Sequence, residues 1–543
     1  MPLRSRLFSL IQFIETAPVT PATFLVTFSS FIVFRMLVHF VLNNFHGLST
    51  KTIFFASVHY FLEFLVTFLL FLFLFRAFKS PSITSAVNIL LLQFFFMFLP
   101  PILDAIIIPS QSAFAIYQFG SLSNLLRNFI TFFGPQSTFG ITPGIRTAII
   151  ASIVITFFYS LIYTKNIFRS LKLAFLSYII LFVISSFPAW ITFLVEWPNK
   201  PILSISDLDQ VALFLTPLQL FQNTFDYAIS LRVKLDIIYS IILTGLTGLL
   251  LFREFPSIFW ALFKNARFAQ LIFHAGLFLL GIIFALTFTR TSFPFELFPI
   301  LSVISLLIAI ECAWLASVIV NDLHDTKIDT LTNANRPLVT NSIDTATYKT
   351  IGYFFFFVSL LFSSIISFTI FFLLLSYQAI AWVYSAPPFR LKRFPGIATL
   401  SAACASILIL LSGFFLVAPD QLEALPQPLL FFLLIAYTFV LPIKDFKDIE
   451  GDRADGVFTI PVLLGETRAK LFIGGAIFAL FIGSVFLIHS SRLIFPAFIF
   501  GALSFWLLQK STLDHPLFPY RHLAAWFIAL VIAYGLLALV ILF

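Results

Sequence analysis

One acidic pattern, D-x2-D-x3-D, occurs twice in the chain. Its two copies contain six of the fifteen Asp residues: Asp322, Asp325, Asp329, Asp445, Asp448 and Asp452. Offsets of three and four residues place the carboxylates of one copy on the same face of a helical turn, where like charges repel each other. Such a face needs cations, and ligand sets made only of oxygen favour Mg²⁺ or Ca²⁺ over zinc. Two copies that face each other predict Mg²⁺ ions that hold a diphosphate.

The composition of the chain excludes a soluble protein. Of its 543 residues, 60% are hydrophobic and only 10% are charged, and no soluble fold of this size buries so much apolar surface. The net charge of +8 comes from short loops between apolar runs, so it marks topology and predicts no nucleic-acid partner. Cys312 and Cys404 give neither a metal-ligand spacing nor a disulfide framework. The sequence therefore predicts an all-α polytopic membrane protein.

Apolar runs long enough to cross a bilayer fall into two groups, with a domain boundary near residue 260. The N-terminal multi-span domain, residues 1–260, has about six predicted spans: 22–43, 52–75, 86–108, 147–164, 173–194 and 235–252. Two weaker segments, 111–133 and 207–230, are interrupted by polar residues and are predicted to be interfacial or re-entrant. The second domain, residues 261–543, has nine predicted spans: 268–289, 297–320, 350–368, 370–386, 396–418, 427–443, 468–489, 493–509 and 521–543.

Basic residues concentrate in the connectors after the second, fourth and sixth spans of the second domain. With nine spans these three connectors lie on one side of the membrane, which the positive-inside rule makes cytoplasmic. Both acidic motifs lie in these connectors. We therefore expect a multi-pass protein of the plasma membrane with both motifs open to the cytoplasm.

Three blocks of sequence resemble a known family. They read NDLHDTKIDTLTNANRPLVT around the first acidic motif, YSAPPFRLKRFPG between the motifs, and KDFKDIEGDRADGVFTIPVLLG around the second. In this order they are similar to the UbiA superfamily of intramembrane prenyltransferases. The resemblance covers roughly residues 265–543 and does not extend to residues 1–260, whose function the sequence does not indicate.

The resemblance implies a ring of nine transmembrane helices around a central cavity, with the acidic motifs at its mouth. It also implies that Mg²⁺ held by the six motif carboxylates binds an isoprenyl diphosphate donor, which passes its prenyl group to a small hydrophobic or aromatic acceptor. The implied substrate-binding residues are Asn321, Arg336, Arg390, Lys444 and Lys447, and the implied catalytic residues are Arg336, Tyr384 and Lys444.

Several alternatives remain open. Arg390 equally suits a topology role, and one of Lys444 and Lys447 would suffice for the diphosphate. The acceptor is expected to be aromatic, as in quinone synthesis; prenyl transfer to a glycerol-phosphate lipid is the alternative. The first domain is alternatively a lipid-handling or transport module fused to the enzyme.

Ionisable residues elsewhere carry weaker signals. Glu311 lies inside a predicted span and is either functional or paired with His274. His59 and Glu63 in the first half are expected to belong to no cluster.

Overall fold

The structure is a computed structural model of the full chain. It describes residues 3–42, 49–78, 82–108, 117–134, 140–216, 227–326, 329–330, 333–454 and 456–542. The described residues form helices joined by short connectors, and their only β pairing is an isolated bridge between Thr512 and Pro519. The predicted all-α class is therefore confirmed.

The chain divides into two compact units. The first comprises Met1–Phe255 together with Glu296–Ser302, and the second comprises Pro256–Phe295 together with Val303–Phe543. The helices that begin before residue 256 are α1 (Leu3–Thr16), α2 (Pro21–Leu42), α3 (Thr50–Ala77), α4 (Ile83–Phe94), α5 (Leu99–Ile107), α6 (Leu122–Ile130), α7 (Pro143–Thr164), α8 (Ile167–Ser185), α9 (Phe187–Glu196), α10 (Asp207–Leu215) and α11 (Tyr227–Glu254).

The later helices carry the two acidic motifs. They are α12 (Pro256–Asn265), α13 (Phe268–Thr289), α14 (Leu297–His324), α15 (Thr345–Ile366), α16 (Phe368–Ser385), α17 (Ile397–Val417), α18 (Gln427–Val440), α19 (Ile449–Ala454), α20 (Ile460–Leu464), α21 (Glu466–Ile488), α22 (Ile494–Lys510) and α23 (Tyr520–Leu542). A 3₁₀ segment, Leu441–Lys447, follows α18.

Within the described ranges, fifteen helical segments are long and apolar enough to cross a membrane. Six of them end by residue 254 and nine begin after it. This division rests on length and composition, so the pattern of six and nine spanning helices stays a prediction. The proposed domain boundary near residue 260 likewise stays a prediction.

Helix boundaries differ from the predicted spans where a local signal interrupts an apolar run. The predicted span 173–194 is wrong as one helix, because α8 ends at Ser185 and α9 starts with Pro188 in its first turn; proline lacks the N–H that would continue the helix. The run 350–386 is divided at Ser367, whose extended backbone separates α15 from α16 and whose hydroxyl accepts a hydrogen bond from the Thr369 N–H.

The two weaker segments of the first half contain only short helices where they are described. The helices α6 and α10 each have nine residues, too few to cross a bilayer. Residues 111–116 and 217–226 of these segments lie outside the described residues. An interfacial or re-entrant placement stays a prediction.

Two glycines allow close packing in the second unit. A Cβ added at Gly281 of α13 would lie 1.9 Å from the carbonyl oxygen of Leu410, and one added at Gly413 of α17 would lie 2.0 Å from that of Phe278. The backbones of α13 and α17 therefore touch where neither has a side chain, which is the close approach that small residues permit between membrane helices.

Candidate active site

The first acidic motif begins on the last turn of α14 and continues past its end. Asp322 lies on that turn, the helix ends at His324, and Asp325 lies at the break that follows. The Asp329 N–H donates to the Asp325 carbonyl at 2.9 Å, and residues 329–330 are again helical. The helix is thus interrupted in the middle of the motif, although Arg336 Nε still lies within 4.0 Å of carboxylate oxygens of both Asp322 and Asp329.

Asp322 is buried, and donors surround its carboxylate. Arg267 donates to Oδ1 at 2.7 Å, while the Asn265 amide and the Tyr348 hydroxyl donate to Oδ2 at 2.7 and 2.8 Å. Arg336 supports this group by donating to the Asn265 side-chain oxygen at 2.6 Å. Asp322 thus joins the α12–α13 connection, the start of α15 and the loop containing Arg336.

Asp325 is neutralised by the segment between α16 and α17. Arg390 donates to Asp325 Oδ1 at 3.0 Å, and the Lys392 ammonium donates to the same oxygen. Burial holds the pKa of Lys392 below its ordinary value, although the Asp325 carboxylate opposes this shift. The charges of this motif are therefore balanced by side chains of the protein itself.

Two of these arginines adopt a backbone conformation that is costly outside glycine. Arg267 has a φ of 55° and Arg390 a φ of 46°. The left-handed region costs a non-glycine residue of the order of 1 kcal/mol or more, and such residues often lie at functional sites. Here the conformation accompanies the ion pairs to Asp322 and Asp325.

Asp329 has one satisfied and one unsatisfied oxygen. Asn333 donates to Oδ1 at 3.0 Å, and Arg336 Nε lies 3.9 Å from the same oxygen. Among the residues that the structure describes, Oδ2 is buried and has no hydrogen-bond partner. Burial, together with the nearby Asp322 charge, raises the pKa of Asp329 to about 6.

The second acidic motif has few counter-charges. Asp445 and Asp448 lie in and just after the 3₁₀ segment, and Asp452 lies on α19. Asp448 has an ion pair with its neighbour Lys447 at 3.4 Å. Within the described part of the chain, Asp445 and Asp452 have neither an ion pair nor a side-chain hydrogen bond. Burial and the charges of Asp445 and Asp448 raise the pKa of Asp452 to about 7.

This second arrangement fits a divalent cation. Carboxylates that raise one another's pKa, and of which most have no ion pair, are stabilised by a hard cation with oxygen ligands. Across the described ranges, no three acidic, His or Cys side chains converge on a point that could hold a metal. A closed protein cage is not required for Mg²⁺, which usually keeps several waters and uses one or two carboxylates together with substrate phosphates.

The two motifs lie in one electrostatic group. The Asp325 charge contributes to the raised pKa of Asp452, and Lys392 interacts with both carboxylates. The Tyr384 side chain lies among charges of both motifs, with the Lys444 ammonium 5.9 Å from its ring centre. Next to it, the Ser385 hydroxyl donates to the Asn321 side-chain oxygen at 3.3 Å.

The residues predicted from the sequence are therefore neighbours in the second unit. Arg336, Arg390 and Lys447 each lie beside a motif carboxylate, and Tyr384, Lys444 and Asn321 lie between the motifs. Their individual roles stay predictions.

Several residues of this site were not predicted. Arg267, Asn265 and Tyr348 all contact Asp322, and the sequence did not indicate a site role for any of them. A basic residue immediately before an apolar span indicates only orientation, so no local signal identified its partner 55 residues later.

Glu311 and His274 are not an ion pair in the described residues. The His274 ring lies 3.4 Å from the Tyr377 hydroxyl and packs against Trp314, with ring centres 4.8 Å apart. One Glu311 oxygen is buried and has no hydrogen-bond partner in the part of the chain that the structure describes. Pairing with His274 therefore does not explain Glu311.

Comparison with known families decides the relationship of this site. A model of the UbiA prenyltransferase family matches residues 277–531, which include both acidic motifs. These residues are therefore similar to the UbiA prenyltransferase family. The match does not extend to the N-terminal half.

Individual UbiA relatives resemble only part of the chain. The digeranylgeranylglyceryl phosphate synthase of Thermococcus sibiricus is 29% identical over 177 residues, which are 32% of this chain and 60% of that protein. The chloroplastic chlorophyll synthase of Arabidopsis thaliana is 28% identical over 166 residues, which are 29% of this chain and 42% of that protein. The chain thus spans less than two thirds of the length of either relative.

The solved structures similar to this chain include a UbiA homologue from Archaeoglobus fulgidus bound to GPP and Mg²⁺. It is 23% identical, covers 50% of this chain and 99% of that chain, and has a TM-score of 0.39.

Proposed function

We propose that the second half of the chain transfers an isoprenyl group from its diphosphate to a small acceptor within the membrane. The observation that carries this proposal is the single electrostatic group formed by the two acidic motifs and their basic neighbours. A diphosphate needs both metal ions and cationic donors to leave, and this group offers carboxylates for the first and guanidinium and ammonium groups for the second.

Each set of residues has a distinct part in the proposal. Asp329, Asp445, Asp448 and Asp452 are the best-placed metal ligands. Among the described residues, one buried oxygen of Asp329 has no hydrogen-bond partner, and the three carboxylates of the second motif have no guanidinium partner. When bound, Mg²⁺ neutralises the diphosphate so that the allylic C–O bond can break. Arg336, Arg390 and Lys392 position the diphosphate oxygens through donors that already converge on this group.

Tyr384 and Lys444 are proposed to act next to the reacting carbon. The Tyr384 ring provides a negative face that stabilises an allylic cation, and the Lys444 ammonium 5.9 Å away attracts the departing diphosphate. The apolar spans around them exclude water, which would otherwise consume the cation.

The acceptor is proposed to be aromatic, as in quinone-type precursors. Prenyl transfer to a glycerol-phosphate lipid is the second candidate. The relatives support both classes, because their names include chlorophyll synthase and homogentisate phytyltransferase as well as digeranylgeranylglyceryl phosphate synthase.

We further propose that the protein is multi-pass in the plasma membrane, with both acidic motifs facing the cytoplasm. The basic connectors support this orientation. Single cysteines at Thr330 and Ala454, both exposed, in a chain with Cys312 and Cys404 replaced by Ser, are expected to react with an impermeant maleimide only from the cytoplasmic side. Labelling from opposite sides would contradict a shared site.

A product assay tests the activity. The purified full chain in lipid nanodiscs is incubated with Mg²⁺, labelled isoprenyl diphosphates of several lengths, and a panel of phenolic and glycerol-phosphate acceptors. We expect a Mg²⁺-dependent prenylated product from one acceptor class, identified by mass. Diphosphate binding without product from any acceptor, under conditions where a known prenyltransferase is active, would contradict the proposal.

A further inference from the structure

The first unit contains a buried ionic cluster of its own. His59 and Glu63 lie one turn apart on α3, and Asp236 lies on α11. His59 Nδ1 is 2.7 Å from Asp236 Oδ1, and His59 Nε2 is 3.8 Å from Glu63 Oε2. The prediction that His59 and Glu63 belong to no cluster is therefore wrong, because the third member comes from a helix 177 residues away in sequence.

The helices that carry this cluster run parallel. At their C-terminal ends Arg76 of α3 donates to both carboxylate oxygens of Glu254 of α11, with the shortest contact at 2.8 Å. His59 and Asp236 precede these two residues by 17 and 18 positions, so the two ion pairs are about 26 Å apart along the helices. This is nearly the thickness of a bilayer core, so the His59 cluster lies toward the opposite end of both candidate spans.

The two ion pairs differ in how completely they are satisfied. The Arg76–Glu254 pair is bidentate and partly exposed. By contrast, the Asp236 side chain is fully buried, and within the described residues its Oδ2 atom has no hydrogen-bond partner. A structural ion pair at membrane depth would satisfy both oxygens, since a buried acceptor without a hydrogen bond destabilises the fold. The deprotonated form of Asp236 is thus incompletely solvated.

Side-chain exposure increases from Asp236 through His59 to Glu63. The side chains of Asp236, His59 and Glu63 are 0%, 13% and 22% exposed, in that order. The imidazole has one nitrogen toward each carboxylate, which is the arrangement in which a histidine passes a proton between two acids.

Other charged and titratable groups surround the His59 cluster. They lie on α2, α3 and α11. From α11, Arg232 interacts electrostatically with His59 and Asp236, and the Tyr239 ring centre is 6.0 Å from that of His59. From α3, Tyr60 lies beside His59. From α2, the Arg35 guanidinium lies 4.1 Å from the Tyr60 ring centre, and His39 interacts with Arg232. These cations offset the two carboxylates, but no described residue donates to the second Asp236 oxygen.

We propose that Glu63, His59 and Asp236 form a relay in the N-terminal unit. This relay binds a proton that is taken up from the aqueous phase. Glu63 gives its proton to His59 Nε2, while His59 Nδ1 gives its proton to Asp236. Glu63 becomes the carboxylate, the imidazole changes tautomer, and Asp236 becomes the neutral acid. The 3.8 Å step requires rotation of Glu63 or one bridging water. Protonation removes the buried charge of Asp236 and so couples proton uptake to the packing of α3 against α11.

Infrared difference spectroscopy on the full chain in lipid nanodiscs tests this relay. Spectra taken between about pH 8 and about pH 5, the range in which histidine chemistry operates, are expected to show a carboxylic-acid C=O band of Asp236 beside those of acidic-motif carboxyls, such as Asp452, that titrate in the same range. Asp236→Asn should lose that band. Glu254→Gln, which removes the other carboxylate between the same two helices, should retain it.

Kinetics keep the test decisive if Asp236→Asn does not fold. After a rapid pH jump, Glu63→Gln and His59→Gln, which both retain Asp236, are expected to slow the appearance of the band by at least about tenfold. Carboxylic-acid absorption in Asp236→Asn that equals that of the unaltered chain, or equal rates in both kinetic variants and the unaltered chain, would overturn the proposal and leave a purely structural ion pair.

Discussion

The two acidic motifs share one spacing but have opposite electrostatic surroundings. In the first motif, Asp322 and Asp325 receive guanidinium, ammonium, amide and hydroxyl donors from distant segments of the chain. In the second, Asp445 and Asp452 have none among the described residues, and Asp448 has only its neighbour Lys447. The identical spacing therefore does not imply that the two motifs have the same role.

This difference distinguishes a motif that supports the surrounding structure, the first, from a motif that depends on a cation, the second. A carboxylate that is already paired holds its neighbours in place whether or not a metal is present. Carboxylates that repel one another reach a stable arrangement only when a cation or a proton arrives. We therefore infer that the first motif mainly orients basic groups toward the diphosphate, and that the second mainly recruits Mg²⁺.

The largest expected effect is on activity. Asp452→Asn or Asp448→Asn removes a proposed metal ligand that no basic residue replaces, so prenyl transfer should fall by about a hundredfold to a thousandfold. Glu450→Gln is the matched control, because Glu450 is exposed on the same short helix. Initial rates at saturating Mg²⁺ provide the measurement. Near-normal rates in both Asp variants would remove the second motif from the mechanism.

The next effect concerns stability and distinguishes the first motif. Asp322→Asn removes the buried carboxylate and leaves the partly buried Arg267 guanidinium without its partner, which should cost about 3 kcal/mol of folding free energy. The Tm in nanodiscs should fall equally with and without Mg²⁺, whereas Asp448→Asn should leave the metal-free Tm nearly unchanged. If Mg²⁺ restores the Tm of Asp322→Asn, Asp322 is a metal ligand and the comparison between the motifs fails.

A pH effect follows from the second motif. Because the pKa of Asp452 is raised to about 7 by burial and by Asp445 and Asp448, a proton competes with Mg²⁺ below that pH. The Mg²⁺ concentration that gives half-maximal activity should therefore rise about tenfold per pH unit below about pH 7 and level off above it. A half-saturating concentration that is flat from about pH 5 to about pH 8 would contradict this competition.

The smallest effect is a gain in stability without metal. A carboxyl group whose pKa is raised in the folded state destabilises the fold when it ionises. The free energy of unfolding therefore falls as pH rises toward about 7, and the destabilisation by Asp452 is complete above that pH. Asp452→Asn should therefore raise the metal-free Tm at about pH 8 by a few degrees. Mg²⁺ should raise the Tm of the unaltered chain but not that of the variant. A lower metal-free Tm in Asp452→Asn would show that this carboxylate is stabilising.

Local sequence determined the features that depend on neighbouring residues. Apolar runs identified the helices long enough to cross a membrane, because length and hydropathy are properties of one segment. The spacing of the acidic motifs and the blocks around them indicated the family that matches residues 277–531. The interruption of α14 after His324 was not foreseen, since the residues of the motif continue a helical pattern that the fold overrides.

Only the tertiary structure decided which charges meet. Arg267 and Asp322 are 55 residues apart, and His59 and Asp236 are 177 residues apart. Neither pair leaves a periodic or compositional signal, because a contact between separate helices depends on how they pack and not on the residues beside each partner. The sequence alone thus supplied two equal acidic patterns and scattered intramembrane charges. Packing then gave Asp322 a shell of donors, left Asp452 without one, and assembled Glu63, His59 and Asp236 into one cluster.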